Sequence, residues 1–213
     1  MSEDEVRAIL QSRFEVSRGT LDRLAAFVEL VREGNNRQNL VAQSSLATIW
    51  HRHILDSAQL VVHAATAQTW LDLGTGAGFP GIIIAAIHPA KVSMVESRPL
   101  RADFLNHAAD LMGFGAKVRI ICASAEKVEP ERHDVISARA FAPLDRLLDI
   151  GIRFAAPETR WVLPKGRSAQ RELDSVRTSW QGMFHVEPSL TDPESGIIVA
   201  EQVSRKNKGH RDR

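Results

Sequence analysis

The chain reads as an α/β protein of the Rossmann-like, doubly wound kind. The expected frame is a mostly parallel seven-stranded sheet with an antiparallel edge hairpin, carrying a helical N-terminal extension. Three observations predict it. From residue 69 onward, short apolar runs alternate with stretches of helical periodicity, the rhythm of a parallel sheet with helices on both faces. A glycine-rich stretch, Gly74-Thr-Gly-Ala-Gly78, closes the first of those runs. Two late runs, Met183–Val186 and Gly196–Val203, follow each other with no helical segment between them, which predicts a hairpin at one sheet edge.

Before residue 66 the pattern is helical. Val6, Ile9, Leu10 and Phe14 share one helical spacing, and Leu21, Leu24, Phe27, Val28 and Val31 share another. Thr20 is the expected N-cap of the second helix and Gly34 its stop. After the polar stretch from Gly34 to Asn39, a third helical stretch runs through His53-Ile-Leu-Asp-Ser57. Strands are then expected at Trp70–Leu73, Val92–Val95, Val118–Ile121, Val135–Ser137 and Arg160–Leu163. Helices are expected at Gly81–Ile87, Pro99–Met112, Leu144–Phe154 and Ser168–Trp180, the second with a stripe of Leu100, Phe104, Ala108, Leu111 and Met112. The division that follows is a helical extension over 1–65, an α/β domain over 66–203 and a basic tail over 204–213.

Composition narrows the class. Twenty-seven Lys and Arg stand against 26 Asp and Glu, with 44% hydrophobic and 25% charged residues among 213. That balance excludes disorder, collagen-like repeats and a small disulfide scaffold, and the length supports one sizeable domain with an appendage. The single cysteine, Cys122, can make no internal disulfide and no thiolate zinc site, so no metal is expected. Cys122 ends an apolar run and reads as core; Trp50, Trp70, Trp161 and Trp180 read as packing residues. The acidic opening, Met1-Ser-Glu-Asp-Glu5, lacks the profile of a secretory signal. The uncharged stretch Leu73–Ile87 is broken by glycines and a proline and falls short of the ~18 residues of a membrane span. A cytoplasmic protein with no membrane association is expected. The last ten residues carry Arg205, Lys206, Lys208, Arg211 and Arg213 against Asp212 alone; such a tail is either a solvated end or a nucleic-acid contact.

The glycine stretch sits where a strand ends and a helix opens, the place where such a loop holds a ligand. A dinucleotide fingerprint counted from the strand end needs glycine at 79, where the chain has Phe79. The later register Gly76, Gly78, Gly81 puts Pro80 inside the motif, and no phosphate loop of the G-x-x-x-x-G-K-[ST] kind occurs. The register that fits is Asp72-x-Gly74-x-Gly76-x-Gly78, an acid followed by glycines. Glu96, at the end of the next strand, can accept hydrogen bonds from two ribose hydroxyls. Ala125 and Glu126 follow the third strand, where a backbone N–H can read an adenine edge; Glu126 reads equally as a helix-start residue.

Four stretches, taken in order, carry a family resemblance. They are Asn39-Leu40 followed by Arg52-His-Ile-Leu-Asp-Ser57; Leu71-Asp-Leu-Gly-Thr-Gly-Ala-Gly-Phe-Pro-Gly81; Ser137-Ala-Arg-Ala-Phe-Ala142; and Leu163-Pro-Lys-Gly166. Together they resemble the glucose-inhibited division protein B family, bacterial methyltransferases that modify N7 of a guanine in small-subunit (16S) ribosomal RNA. The resemblance implies a class I methyltransferase fold and S-adenosyl-L-methionine as cofactor. It also implies cofactor contacts at Gly74, Phe79, Ala125, Glu126 and Arg139, to which the loop and strand-end readings add Gly76, Gly78 and Glu96. The chain departs from the family pattern at Glu96 (usually Asp), Leu100 before Arg101 (commonly Lys) and Ser124 (often Arg). The last two departures remove basic side chains that the family pattern would offer for local RNA or cofactor-edge contacts.

Guanine N7 presents an in-plane lone pair and carries no proton at neutral pH, so methylation needs no general base and no catalytic residue is expected. His51 and His53 lie in the extension, and His53 reads as structural, bonded to Asp56 or to backbone. Arg139, at the end of the fourth strand, has three readings: holding RNA phosphate, stacking on the guanine, or touching the cofactor carboxylate. Lys165 is expected to hold phosphate, and Arg52, Arg101 and Arg167 are further RNA candidates. The expected partner is 16S RNA, free or in a small subunit or assembly intermediate, and the chain is expected to be a monomer. A small-molecule methyltransferase, a nicotinamide-dependent oxidoreductase and a non-catalytic RNA-binding protein are the alternative readings.

Overall fold

The computed structural model describes residues 1–206. Helix α1 (Glu3–Phe14) starts at a capping box, in which the Ser2 hydroxyl accepts from the Glu5 N–H and the Glu5 carboxylate accepts from the Ser2 N–H. Helix α2 (Arg18–Asn35) is capped by Ser17, whose hydroxyl accepts from the Thr20 N–H, so the expected cap at Thr20 moves back by three residues. Gly34 does not end α2. A Cβ there would stand 2.6 Å from Leu40 and 3.1 Å from Phe104, so Gly34 is a packing requirement rather than a stop. The third helical stretch is irregular: a 3₁₀ turn (Gln43–Thr48), a π turn (Trp50–Leu55), the short α3 (Asp56–Ala58) and a second 3₁₀ turn (Gln59–His63). Widened π turns are uncommon and concentrate at functional sites.

The sheet follows. Its elements are β1 (Thr69–Leu73), α4 (Gly81–Ile87), β2 (Lys91–Glu96), α5 (Pro99–Leu111), β3 (Val118–Cys122), β4 (Val135–Ser137), α6 (Leu144–Gly151), β5 (Arg160–Gly166), α7 (Ala169–Val176), β6 (Trp180–Pro188) and β7 (Gly196–Arg205). Strand order is β3-β2-β1-β4-β5-β7-β6. The first five strands are parallel, and β7 runs antiparallel between β5 and β6. The expected helix to Trp180 ends at Val176, because Trp180 is drawn into β6 with its ring buried and its indole N–H donating to Asp145 at 2.7 Å.

Side chains along each strand alternate between two faces. Trp70, Val92, Met94, Val135 and Val162 join one core with α1, α2, the π turn, α4 and α5. Leu71, Leu73, Ile136, Trp161 and Leu163 join a second with α6 and α7. Residues 1–65 therefore complete a core of the sheet rather than building one of their own. Strand β7 also takes Ser204 and Arg205 from the expected basic tail, Arg205 pairing with Asp149 at 2.6 Å. Residues 207–213 of that tail lie outside the described residues.

Two expectations are corrected. Cys122 is exposed, because it closes the edge strand β3 at its carboxyl end. Leu100 and Leu111 are exposed as well; the buried side of α5 is Ala102, Phe104, Leu105 and Ala108, continued by Met112. No helix of the described residues is long and apolar enough to cross a membrane.

Candidate functional site

Neighbours of β1 diverge, β2 on one side and β4 on the other. A doubly wound sheet opens its ligand crevice at the carboxyl ends of such strands. The loop after β1 carries positive φ at Gly74, Gly76 and Gly78. At Gly74 (φ +67°) a Cβ would strike the Phe141 ring at 2.4 Å, while at Gly76 (φ +60°) the nearest atom is Arg101 Nη1 at 3.8 Å. Gly74 thus allows a close approach within the protein, and Gly76 leaves space open. A Cβ at Gly78 would meet Ile82 at 2.5 Å, so that glycine packs the loop onto α4.

Asp72, the acid of the motif, is fully buried. Its Oδ2 accepts from the Gly81 N–H at 3.0 Å, and its Oδ1 accepts from the Ser137 hydroxyl at 2.8 Å. Ser137 accepts in turn from the Trp70 indole N–H at 2.9 Å. Burial pushes the Asp72 carboxyl up to about 6, against the opposing pull of these bonds. The acid pins the glycine loop to the strand and to the start of α4.

A first cleft of about 400 Å³ opens beside this loop, lined by Gly74, Glu96, Arg101, Ala125 and Phe141 among others. Glu96 is buried; its Oε2 accepts from the Gly76 N–H at 3.1 Å and its Oε1 from the Arg98 N–H at 2.9 Å. Each oxygen keeps a lone pair for a further donor. Ala125 is buried in the cleft wall, and the Glu126 carboxylate lies 3.6 Å from Arg146, which lines the same cleft. Arg101 belongs to this cleft and donates to the Asn39 carbonyl at 2.7 Å.

A second cleft, about 640 Å³, lies between the π turn, the end of β5 and the β6–β7 connection. Arg52, Arg139 and Arg167 line it together with His53 and Asp56. Arg139 is largely buried. It donates to His53 Nδ1 at 2.7 Å and to the Arg52 carbonyl at 3.3 Å, stands 3.5 Å from Asp56 Oδ2, and lies over the Phe79 ring at 5.5 Å. Burial, then the charges of Arg139 and Arg52, push His53 down to about 3, so its ring is neutral.

The fold has solved counterparts. Cofactor-bound Rv0187 from MTB matches with a TM-score of 0.64 at 15% identity, over 95% of this chain and 98% of that one. An O-methyltransferase from Bacillus cereus in complex with SAH matches with a TM-score of 0.60 at 13% identity, over 93% and 97%. Sequence relatives are nearer. The ribosomal RNA small subunit methyltransferase G of Rhizorhabdus wittichii is 50% identical over 216 aligned residues, spanning 100% of this chain and 99% of its own. That of Novosphingobium aromaticivorans is 49% identical over 97% of this chain and 91% of its own. The model of the GidB family, rRNA small subunit methyltransferase G, matches residues 20–192. The chain belongs to this family.

Within this methyltransferase G frame, the sequence-predicted residues divide between the two clefts. Gly74, Glu96, Ala125 and Glu126 gather at the first, with Arg101, which was expected at RNA. Arg52, Arg139 and Arg167 gather at the second. Three expectations change. The Phe79 ring is buried against Phe27 (5.5 Å between centroids) and His53 (4.8 Å), and does not line the first cleft. Lys165 is not free for phosphate, since its ammonium pairs with Glu172 at 3.0 Å and donates to the Ala142 carbonyl at 2.7 Å in a buried setting. His53 is bonded to Ser45 and Arg139 rather than to Asp56 or backbone. Sequence reasoning missed Phe141 in the first cleft and, in the second, Asp56 with the segment Ser189–Ser195. The Arg52–Ser57 stretch already contained Asp56, but nothing in residues 189–195 marks them as site-forming.

Proposed function

We propose that this chain transfers a methyl group from S-adenosyl-L-methionine to N7 of a guanine in small-subunit (16S) ribosomal RNA. One observation carries the reading beyond family membership. The segment Arg139–Ala142 separates the clefts, presenting Arg139 to the second and Ala140, Phe141 and Ala142 to the first. The two clefts therefore border one another at this segment, and transfer brings the methyl and N7 into direct contact, about 3–3.5 Å apart, past its edge.

The first cleft fits the cofactor. Glu96 offers a buried carboxylate with lone pairs for ribose hydroxyls, and Gly76 leaves space that a side chain would fill. When bound, S-adenosyl-L-methionine supplies an electrophilic methyl on a positively charged sulfur. The N7 lone pair forms the new bond while the electrons of the broken bond stay on sulfur, so the chain moves no proton. Its residues align and enclose: Glu96 and the Ala125 backbone hold the donor, and Arg139 sets one wall of the acceptor cleft. Arg52 and Arg167, both exposed, stand where RNA phosphate would pass; such contacts position the strand without reading it. Lys165 belongs to the wall and not to the RNA surface.

The same reading has residues 1–65 supplying part of the acceptor cleft through the π turn, and the chain working as a monomer in the cytoplasm. The decisive experiment is methyl transfer from labelled S-adenosyl-L-methionine to small ribosomal subunits and, in parallel, to naked 16S RNA, followed by chemical cleavage at N7-methylguanosine. Label at one guanine is expected. S-adenosylhomocysteine binding with no label in either substrate would leave the fold reading and remove the RNA.

A further inference from the structure

Resting on that function, we infer that the Asp56 carboxylate selects guanine in the second cleft by accepting hydrogen bonds from the donors of its Watson–Crick edge. Asp56 stands at the junction of the π turn and α3 and lines the cleft beside Arg139. Its two oxygens are treated differently by the protein. Oδ1 is filled, accepting from Gln59 Nε2 at 2.9 Å and from the Thr191 hydroxyl at 2.8 Å. Gln59 is buried and also receives the Leu190 N–H at 2.7 Å, so the carboxylate is tied to the β6–β7 connection and cannot swing away. Among the described residues Oδ2 has one polar partner, the Arg139 guanidinium at 3.5 Å. That is long for a charge-assisted bond, and the short bond from Arg139 goes to His53 instead. A carboxylate oxygen with unused lone pairs therefore belongs to a cleft that Arg52, Arg139 and Arg167 also line.

A carboxylate repels phosphate, so its place in an RNA cleft suits a base and not the backbone. A carboxylate can only accept. Guanine presents an N1–H and a 2-amino group on its Watson–Crick edge; adenine presents an acceptor at N1 and nothing at C2. A base taken out of its stack is read on that edge by side chains. The same carboxylate sits beside a ring that becomes positively charged when N7 is methylated, a charge that a fixed anion stabilises.

Asp56 also touches Arg139, so a purely positional role must be separable. Once the methylated guanine is mapped, ligated 16S transcripts carrying guanosine, inosine or 2-aminopurine at that position are compared as substrates for the wild type and for Asp56→Asn. Inosine lacks the 2-amino group, and 2-aminopurine lacks the N1–H. Wild-type kcat/KM is expected to fall roughly 10- to 100-fold on at least one analogue, the range of a lost bond to a charged acceptor. In Asp56→Asn that same ratio should shrink to within about threefold, while S-adenosylhomocysteine affinity is unchanged. The intrinsic reactivity of each base is common to both enzymes, so the change in ratio isolates the carboxylate. An equal proportional loss on all three templates overturns the inference and leaves Asp56 as a positioner of Arg139. Should Asp56→Asn fail to fold, the wild type with S-adenosylhomocysteine is titrated with guanosine, inosine and adenosine 5′-monophosphates. Preference for the guanosine form supports the inference, and equal affinities overturn it. Absence of methyl transfer by the wild type would instead sink the proposed function itself.

Discussion

His53 accepts a hydrogen bond from Arg139 at 2.7 Å, and it can do so only as the neutral tautomer with its proton on Nε2, where Ser45 lies at 2.9 Å. Ser45 spends its own proton on the Ala42 carbonyl at 2.7 Å, which leaves its oxygen free to receive that of His53. The imidazole thus fixes the guanidinium in the wall between the clefts. Arg139→Lys keeps the charge and loses the fork that reaches His53, the Arg52 carbonyl and Asp56 together. Turnover should drop about 100-fold, the scale of a misplacement near 1 Å. S-adenosylhomocysteine affinity, read by calorimetry, should stay within about threefold if Arg139 acts only from the acceptor side.

Two buried titrating groups pull stability in opposite directions with pH. His53, held near 3, binds fewer protons folded than unfolded up to its ordinary value of 6.5. Its contribution is present above pH 6.5 and lost as pH falls toward 3. Asp72, held near 6 against an ordinary 3.8, binds more protons when folded across that window. Its contribution is present below pH 3.8 and is lost as pH rises through 6. Urea unfolding from about pH 4 to about pH 7 should therefore show a steeper rise of stability with pH in Asp72→Asn and a shallower one in His53→Asn. Parallel profiles for both variants and the wild type would contradict both assignments.

Glycines 74 and 76 should fail differently. Gly74→Ala drives a methyl to 2.4 Å from the Phe141 ring and strains a positive φ, so folding and S-adenosylhomocysteine binding should both suffer. Gly76→Ala meets only the φ cost, of order 1 kcal/mol. Gly76→Val puts a branched side chain into the open space beside Arg101 and should abolish binding, at a larger φ cost than the alanine. Thermal unfolding and calorimetry on the same three variants separate these outcomes.

Lys165→Ala should act on stability rather than on RNA affinity. The ion pair with Glu172 is nearly buried, the lysine side chain being 9% exposed, and breaking such a pair from one side costs about 3 kcal/mol. The salt dependence of RNA binding should be unchanged, because no phosphate contact is removed. A reduced salt slope in this variant would return Lys165 to the RNA surface.

Much of this was legible in the residues. Strand and helix order from β1 to β7 follows from apolar periodicity and glycine placement, and Glu96 follows from its position at the end of β2. What the sequence hid are relationships between distant segments. Gly34 looks like a helix stop until Phe104 is seen against it, and Lys165 looks like a phosphate ligand until Glu172 is seen beside it. Phe79 reads as part of a ligand loop, yet its ring packs against Phe27 and His53 of the extension. Asp56 gains meaning only when Thr191, 135 positions later, reaches it.

The shared core of extension and sheet bears on how the chain is made. Residues 3–63 leave the ribosome before the sheet does, at about 5–20 residues per second, with the apolar sides of α1 and α2 uncovered. Their permanent partners are α4, α5 and the strands that follow, out to Val199 in β7. The extension therefore waits for β7, the last strand of the sheet to be made, before its core is complete. A break anywhere in synthesis strands sticky helices without a lining, and chaperone dependence during translation should be confined to that interval.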